Sequence, residues 1–353
     1  MYTLSSDVLS LSGEAAALLQ NRRLVYANAA AKAILGEGCI GKSFRELFGE
    51  ELAETQAPNY VASVPIGGQN RLLRVSREGG MQIVFFTRRD PDPALFSDAY
   101  LQSLRSGLMN LKLAADAGQR TAEDRADPAL LRCFASLNKE YYKLNRLLAN
   151  ISAARSVLAG ELPLTLSTVD LGAMLSDLAD SVGLLRPDVS LCVSLERRIL
   201  LWADPQMLEL LLMNLLSNCL THAEGLRQIR LELSTRNDRV YLTVRDDGCG
   251  IAPEKMSSLF HRYRAAFELH EMSKGAGLGM TVVRGITEAH GGALMLESRE
   301  GMGTMVRLSL SRLLNGQARL AEEQAGYVGS MDRLLTGLAG CLPGECFGRK
   351  YAD

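Results

Sequence analysis

Two runs of apolar residues at three-four spacing constrain this chain more than any other feature: Leu101, Leu104, Leu108 and Leu111, then Phe134, Leu137, Tyr141, Leu144, Leu148 and Ile151. That period belongs to helices and not to strands, so each run predicts a helix carrying one apolar seam. The polar and charged stretch 118–128 between them reads as the connection. An antiparallel helical hairpin follows. One hairpin presents too narrow a stripe to be stable alone, whereas two copies packed as a four-helix bundle bury both seams, which predicts a homodimer. Chain breakers bound the pair, Asp90-Pro91-Asp92-Pro93 before it and Gly160-Glu161-Leu162-Pro163-Leu164 after it.

The hairpin divides the 353 residues into a domain at 10–90, the hairpin at 94–160, a domain at 165–314 and a tail at 315–353. In the first, short strands at 17–20, 23–26, 61–66, 71–76 and 81–86 and a helix at 28–35 predict a small α+β domain. Past residue 160, helices alternate with strands. Ile229, Leu231 and Leu233 share one strand face and Val240, Leu242 and Val244 share the next, so a two-layer α/β sandwich is expected. The fold class is multi-domain α+β. The tail holds a short amphipathic helix at 331–338, stopped by Gly340 and Pro343, to which the sequence assigns no role.

Charge and composition exclude several classes. A net charge of −1 with no long block of one sign offers no field for nucleic acid. No run reaches the length needed to span a bilayer, since the most apolar stretch, 207–220, is interrupted by Glu209, Asn214, Ser217 and Asn218. The start Met1-Tyr2-Thr3, with Asp7 close behind, lacks the basic and apolar parts of an export signal. Seven cysteines form no CxxC pair and are odd in number, which suits reduced thiols. A cytoplasmic location is expected.

Three motifs in the 165–314 region point to chemistry. Asn214 and Asn218 lie one helical turn apart, so both amides can reach one ligand, and an amide oxygen is a hard donor suited to Mg²⁺. Asp246-Asp247-Gly248-Cys249-Gly250-Ile251 leads out of a strand, and a carboxylate at a strand end can accept a hydrogen bond from an adenine amino group. Gly275-Ala276-Gly277-Leu278-Gly279 precedes a helix at 281–290, a setting in which backbone N–H groups approach phosphate. No Gly-Lys-Thr or Gly-Lys-Ser follows, which excludes a Walker loop, and no strand immediately precedes, which argues against a dinucleotide fold.

Together with Phe260-His261-Arg262-Tyr263, these motifs resemble, in order and spacing, the N, G1, F and G2 boxes of histidine-kinase-type ATPases, the GHKL superfamily. The resemblance runs from about residue 171 to 310 and includes Gly291-Gly292 and Gly303-Thr304. It implies ATP and Mg²⁺ as cofactors. Carried over by position, Asn218 would coordinate the metal and Asn214, the candidate catalytic residue, would orient the reacting phosphate or its water. Asp246 would read adenine, with Gly248, Gly250 and Ile251 shaping the pocket and Phe260 beside it. Gly275, Gly277, Leu278 and Gly279 would line the phosphate side. Residues 262–274 would form a lid, with Arg262, Arg264 and Lys274 as candidate phosphate partners. The preceding hairpin is similar, more loosely, to that family's dimerisation domain, and the run 23–30 with Leu35-Gly36 and Gly41-Lys42-Ser43 resembles a PAS sensor domain.

One departure matters. The family transfers phosphate to a histidine on the first hairpin helix, yet no histidine precedes His222. Laying Leu104-Arg105 on the family's Leu-Arg places Gln102 at the acceptor position and Ser103 where an acidic residue belongs. A glutamine amide is no nucleophile, because its nitrogen lone pair is delocalised. The expectation is an ATP-binding signal-transduction protein unable to phosphorylate its own hairpin, working on a response regulator or partner kinase. Two alternatives stand beside it: a kinase acting on a serine or histidine of a partner, and a non-catalytic nucleotide-gated adaptor.

Overall fold

The computed structural model describes residues 15–53, 59–66, 69–78, 80–87, 98–160, 162–195, 198–222, 224–252, 278–312 and 331–348. Near the amino end, β1 (Ala15–Gln20) and β2 (Arg23–Ala27) form a hairpin. Its two-residue turn, Asn21-Arg22, takes positive φ at both positions, the backbone twist that tight hairpins prefer. Asn28 then caps α1 (Ala29–Leu35), its Oδ1 accepting from the Ala31 N–H at 3.0 Å. A Ser43–Glu46 capping box starts α2 (Phe44–Phe48), which leads to α3 (Glu50–Ala53). β3 (Asn59–Ile66), β4 (Gln69–Glu78) and β5 (Met81–Thr87) complete an antiparallel sheet of order β2-β1-β5-β4-β3 over a core that includes Leu24, Phe44, Tyr60 and Leu73.

Two long helices follow, α4 (Asp98–Asp124) and α5 (Pro128–Ala159), packed against each other. The connection is shorter than the sequence reading placed it: α4 continues through Gly118 to Asp124, and only residues 125–127 join the helices. Gln119 to Asp124 holds no Gly or Pro, and Gly118 serves packing, since a Cβ there would lie 2.4 Å from the Phe134 ring. Asp127 caps α5 and Gly160 ends it in a left-handed conformation. The seam is split. Leu101, Leu148 and Ile151 are buried within the chain, whereas Leu104, Leu111, Leu137 and Leu144 are exposed.

The rest alternates helix and strand. β6 (Ser167–Asp170) pairs with β8 (Leu200–Ala203). α6 (Leu171–Leu185) precedes β7 (Ser190–Leu195), and α7 (Pro205–His222) precedes β9 (Gln228–Arg236) and β10 (Arg239–Asp246). α8 (Leu278–Ala289) returns to β11 (Leu294–Ser298) and β12 (Thr304–Ser311). The strand order is β11-β12-β10-β9-β7. Ile229, Leu231, Leu233, Val240, Leu242 and Val244 point inward beneath α6, α7 and α8, the two-layer arrangement that alternation demands.

The two sheets are continuous. β11 pairs antiparallel with β3, Leu294 opposite Ser63 through Glu297 opposite Tyr60, giving one sheet of ten strands. Ser63 Oγ also donates to Glu288 Oε1 at the end of α8. Each sheet thus covers an edge of the other that would otherwise expose unpaired N–H and C=O groups. Among the described residues, no helix is long and apolar enough to cross a membrane. α9 (Met331–Leu338) and a 3-10 turn (Gly344–Phe347) close the chain by packing onto α5 and α7.

Candidate nucleotide site

β10 delivers Asp246 to the end of the central sheet, and burial leaves it only 6% exposed. Its Oδ1 accepts from the N–H groups of Gly248 at 3.0 Å and Thr304 at 3.1 Å, which fixes the orientation of the carboxylate. Burial raises its pKa above the ordinary value, opposed by those same hydrogen bonds. The Cys219 thiol of α7 lies beside it, pushed up by burial first and by the Asp246 charge second.

The loop after Asp246 is locked by close backbone contacts. Gly250 has φ +68°, and a Cβ there would fall 2.1 Å from Arg299 O; Gly303 has φ +81°, and a Cβ there would fall 2.1 Å from Asp246 O. Only glycine fits either place. Ser298 Oγ adds a clasp, accepting from Ile251 N at 2.9 Å and donating to Gly303 O at 2.9 Å. Asp247 accepts from the Arg227 and Gln228 N–H groups, both at 2.9 Å. Thr304, Gly303 and Ser298 thus shape the surroundings of Asp246 as much as Gly248 and Gly250 do. The Gly303-Thr304 pair was the only sequence signal for them.

α7 supplies the amides. Its first turn is capped by Asp204, whose Oδ1 accepts from Gln206 N at 2.9 Å and Met207 N at 3.1 Å. Asp204 is itself held by buried His290, whose Nε2 accepts from the Asp204 N–H at 3.1 Å. Asn214 and Asn218 do share one side of α7, but in different settings. Asn218 is half-buried and makes no hydrogen bond to another described residue. Asn214 is 1% exposed, and Gly279, in the first turn of α8, lies against it. Its amide faces α5: Asn150 Nδ2 donates to its Oδ1 at 3.1 Å, and its Nδ2 donates to Asn150 Oδ1 at 2.8 Å. Arg146 Nη2 donates to the same Oδ1 at 3.4 Å. Neither Asn150 nor Arg146 was marked by any sequence motif. Leu278 is buried at the start of α8, and Ile251 is half-buried. Phe260, Lys274, Gly275 and Gly277 lie outside the described residues, as do Arg262, Arg264, the rest of the expected lid and the side chain of His222.

A half-open sheet backed by three helices, with a strand-end carboxylate, interlocked glycine turns and an amide-bearing helix, defines an ATPase sandwich of the GHKL class. Comparison with known proteins agrees. Residues 203–313 match the family of histidine kinase-, DNA gyrase B- and HSP90-like ATPases. Sensor histidine kinase YkoH of Bacillus subtilis is 36% identical over 119 residues, 33% of this chain and 26% of that protein. Sensor histidine kinase MtrB of Mycolicibacterium paratuberculosis is 28% identical over 219 residues, 61% of this chain and 38% of that protein. A crystal structure of full-length ShkA in complex with AMPPNP superposes with a TM-score of 0.47 at 22% identity, covering 61% of this chain and 45% of that one. The chain thus spans well under half the length of the curated relatives it matches. Residues 203–313 therefore carry a domain of the histidine kinase-, DNA gyrase B- and HSP90-like ATPase family.

Proposed function

We propose that this protein binds Mg-ATP between Asp246 and Asn218 and signals by nucleotide occupancy, without phosphorylating its own helical pair. The observation that supports it most is Asp246: a buried carboxylate held by two backbone N–H groups at the end of a strand, a ready acceptor for the adenine amino group. The donors fit a magnesium nucleotide. Mg²⁺ needs one or two protein oxygens beside waters and phosphate, and the Asn218 amide is a hard oxygen in a half-buried place. When bound, the ion neutralises charge on the phosphates. Gly279, in the first turn of α8, lies against Asn214, and a helix amino end favours negative charge.

The helical pair lacks an imidazole to accept the phosphoryl group. Gln102 on α4 is exposed, but its amide cannot attack phosphorus, and no imidazole stands anywhere before His222. Phosphoryl transfer depends on positioning and charge stabilisation, so an intact site without an acceptor still binds nucleotide. The exposed leucines of α4 and α5 fit a second copy, which makes the protein a homodimer built on a four-helix bundle. The antiparallel sheet of β1 to β5 with its short helices suits a PAS-like sensor, and a response regulator or partner kinase in the cytosol is the output.

Titration calorimetry with Mg-ATP tests the reading. Asp246→Ala and Asn218→Ala should each weaken binding about tenfold or more, the loss expected for one hydrogen bond or metal contact to a charged group. Unchanged affinity in both variants refutes the assignment. Labelled ATP should leave no acid-labile phosphate on the protein alone; transfer to a serine or histidine of an added partner would instead establish a kinase.

A further inference from the structure

Asn214 has no hydrogen-bonding capacity to spare. An amide offers two acceptor lone pairs and two N–H donors. Its Oδ1 accepts from Asn150 Nδ2 and Arg146 Nη2, and its Nδ2 donates to Asn150 Oδ1 and to Leu210 O at 2.9 Å. While α5 lies here, a phosphate oxygen finds no free atom on Asn214. α5 and the nucleotide are exclusive partners for this one amide.

α5 rests on α8, where Gly285 faces Val157, and the carboxy-terminal segment 331–347 holds its earlier turns. The segment's apolar face, with Leu334, Leu335, Leu338, Leu342 and Phe347 buried, fills the angle between α5 and α7. Polar ties reach three helices. On α5, Tyr142 OH donates to Asp332 Oδ1 at 2.6 Å and Lys139 Nζ donates to Leu342 O at 2.8 Å. On α7, Arg333 Nη1 meets Glu209 Oε2 at 3.0 Å. Beyond the carboxy end of α6, Arg186 Nη1 donates to Cys341 O at 2.8 Å. The Phe347 ring rests on Tyr142 with centroids 5.6 Å apart. Gly337 lets α9 approach α7 so closely that a Cβ there would stand 2.6 Å from Met213 Sδ.

From this geometry we infer that residues 331–347 form a strap that holds α5 across α7 and keeps the Asn214 amide occupied, so that full engagement of the ATP phosphates requires the strap and α5 to yield. The inference rests on the nucleotide reading of the site. A ligand that needs the undocked state binds more weakly in proportion to how rarely that state occurs, and by the same linkage the ligand drives α5 off. Nucleotide occupancy then reaches the helical pair, whose outer face carries Leu137 and Leu144, with no phosphate transferred.

The test uses the full chain. Mg-ATP affinity is measured by calorimetry for the wild type, for Gly337→Leu, which wedges the strap off Met213, and for Asn150→Leu, which removes the competing amide. Hydrogen exchange of the α5 amides around Asn150 is followed with and without Mg-ATP. Both variants should bind about fivefold more tightly or better, and Mg-ATP should speed α5 exchange in the wild type. Should Gly337→Leu melt early, Tyr142→Phe combined with Arg333→Ala loosens the same strap without adding volume. Affinities unchanged in folded variants overturn the strap alone. Weaker binding also overturns it, by making α5 part of the site. If wild type and variants are all folded and none binds Mg-ATP, the nucleotide reading falls and the strap's role falls with it.

Discussion

Gly303 occupies a backbone position that a side chain would destroy. Positive φ and the Asp246 carbonyl beneath it together predict that Gly303→Ala loses about 1–3 kcal/mol of stability, read as a lower melting temperature, and weakens Mg-ATP binding by moving Thr304 from the carboxylate. His290 makes a second prediction. Its ring is buried, with Nδ1 at 2.8 Å from Ile286 O and Nε2 accepting from the Asp204 N–H, so the neutral form fits and burial lowers its pKa below 6.5. The unfolded chain therefore takes up the proton first as pH falls. The stability this ring contributes is complete above about pH 6.5 and is lost as pH drops through the lower folded value. Urea unfolding between pH 7.5 and 5 should show that decline in the wild type and a flatter profile in His290→Gln.

At the scale of elements, the helical pair depends on one close approach. Gly118 faces the Phe134 ring, and buried Asn138 donates from Nδ2 to Gln119 Oε1 at 2.9 Å in the next turn. Gly118→Leu adds volume where none exists, so the pair should lose about 1–3 kcal/mol, measured by denaturant unfolding, although leucine is the better helix former. Here the residues and the fold point different ways. Gly118 and the charges after it look like a loop, yet Arg120, Ala122 and Glu123 sustain a helix, and the glycine answers to an aromatic ring on the neighbouring helix. Periodicity located both helices; their shared contact decided where α4 ends.

The whole molecule is assembled by contacts between distant segments. Continuity of the sheet through β3 and β11 predicts that the amino-terminal strands and the ATPase sandwich melt together, as a single transition in scanning calorimetry. Two separate transitions would show that this pairing contributes little. The exposed seam predicts a dimer at micromolar concentration by light scattering, and a monomer for Leu111→Glu combined with Leu144→Glu, because like charges facing each other cannot be buried.

Local sequence determined the elements whose chemistry is local. The strand ending in Asp246, the glycines that follow it, the helix bearing Asn214 and Asn218 and the amphipathic helix at 331–338 are each encoded within a dozen or so residues, because turn geometry and hydrophobic period act over that distance. Only the tertiary structure decided which surfaces meet: Asn150 with Asn214, Thr304 with Asp246, β3 with β11, and the carboxy-terminal helix with α5 and α7. An apolar stripe or a strand edge states that it must be covered and leaves open by what, since burial and hydrogen bonding are satisfied by any complementary partner that the rest of the fold brings within reach.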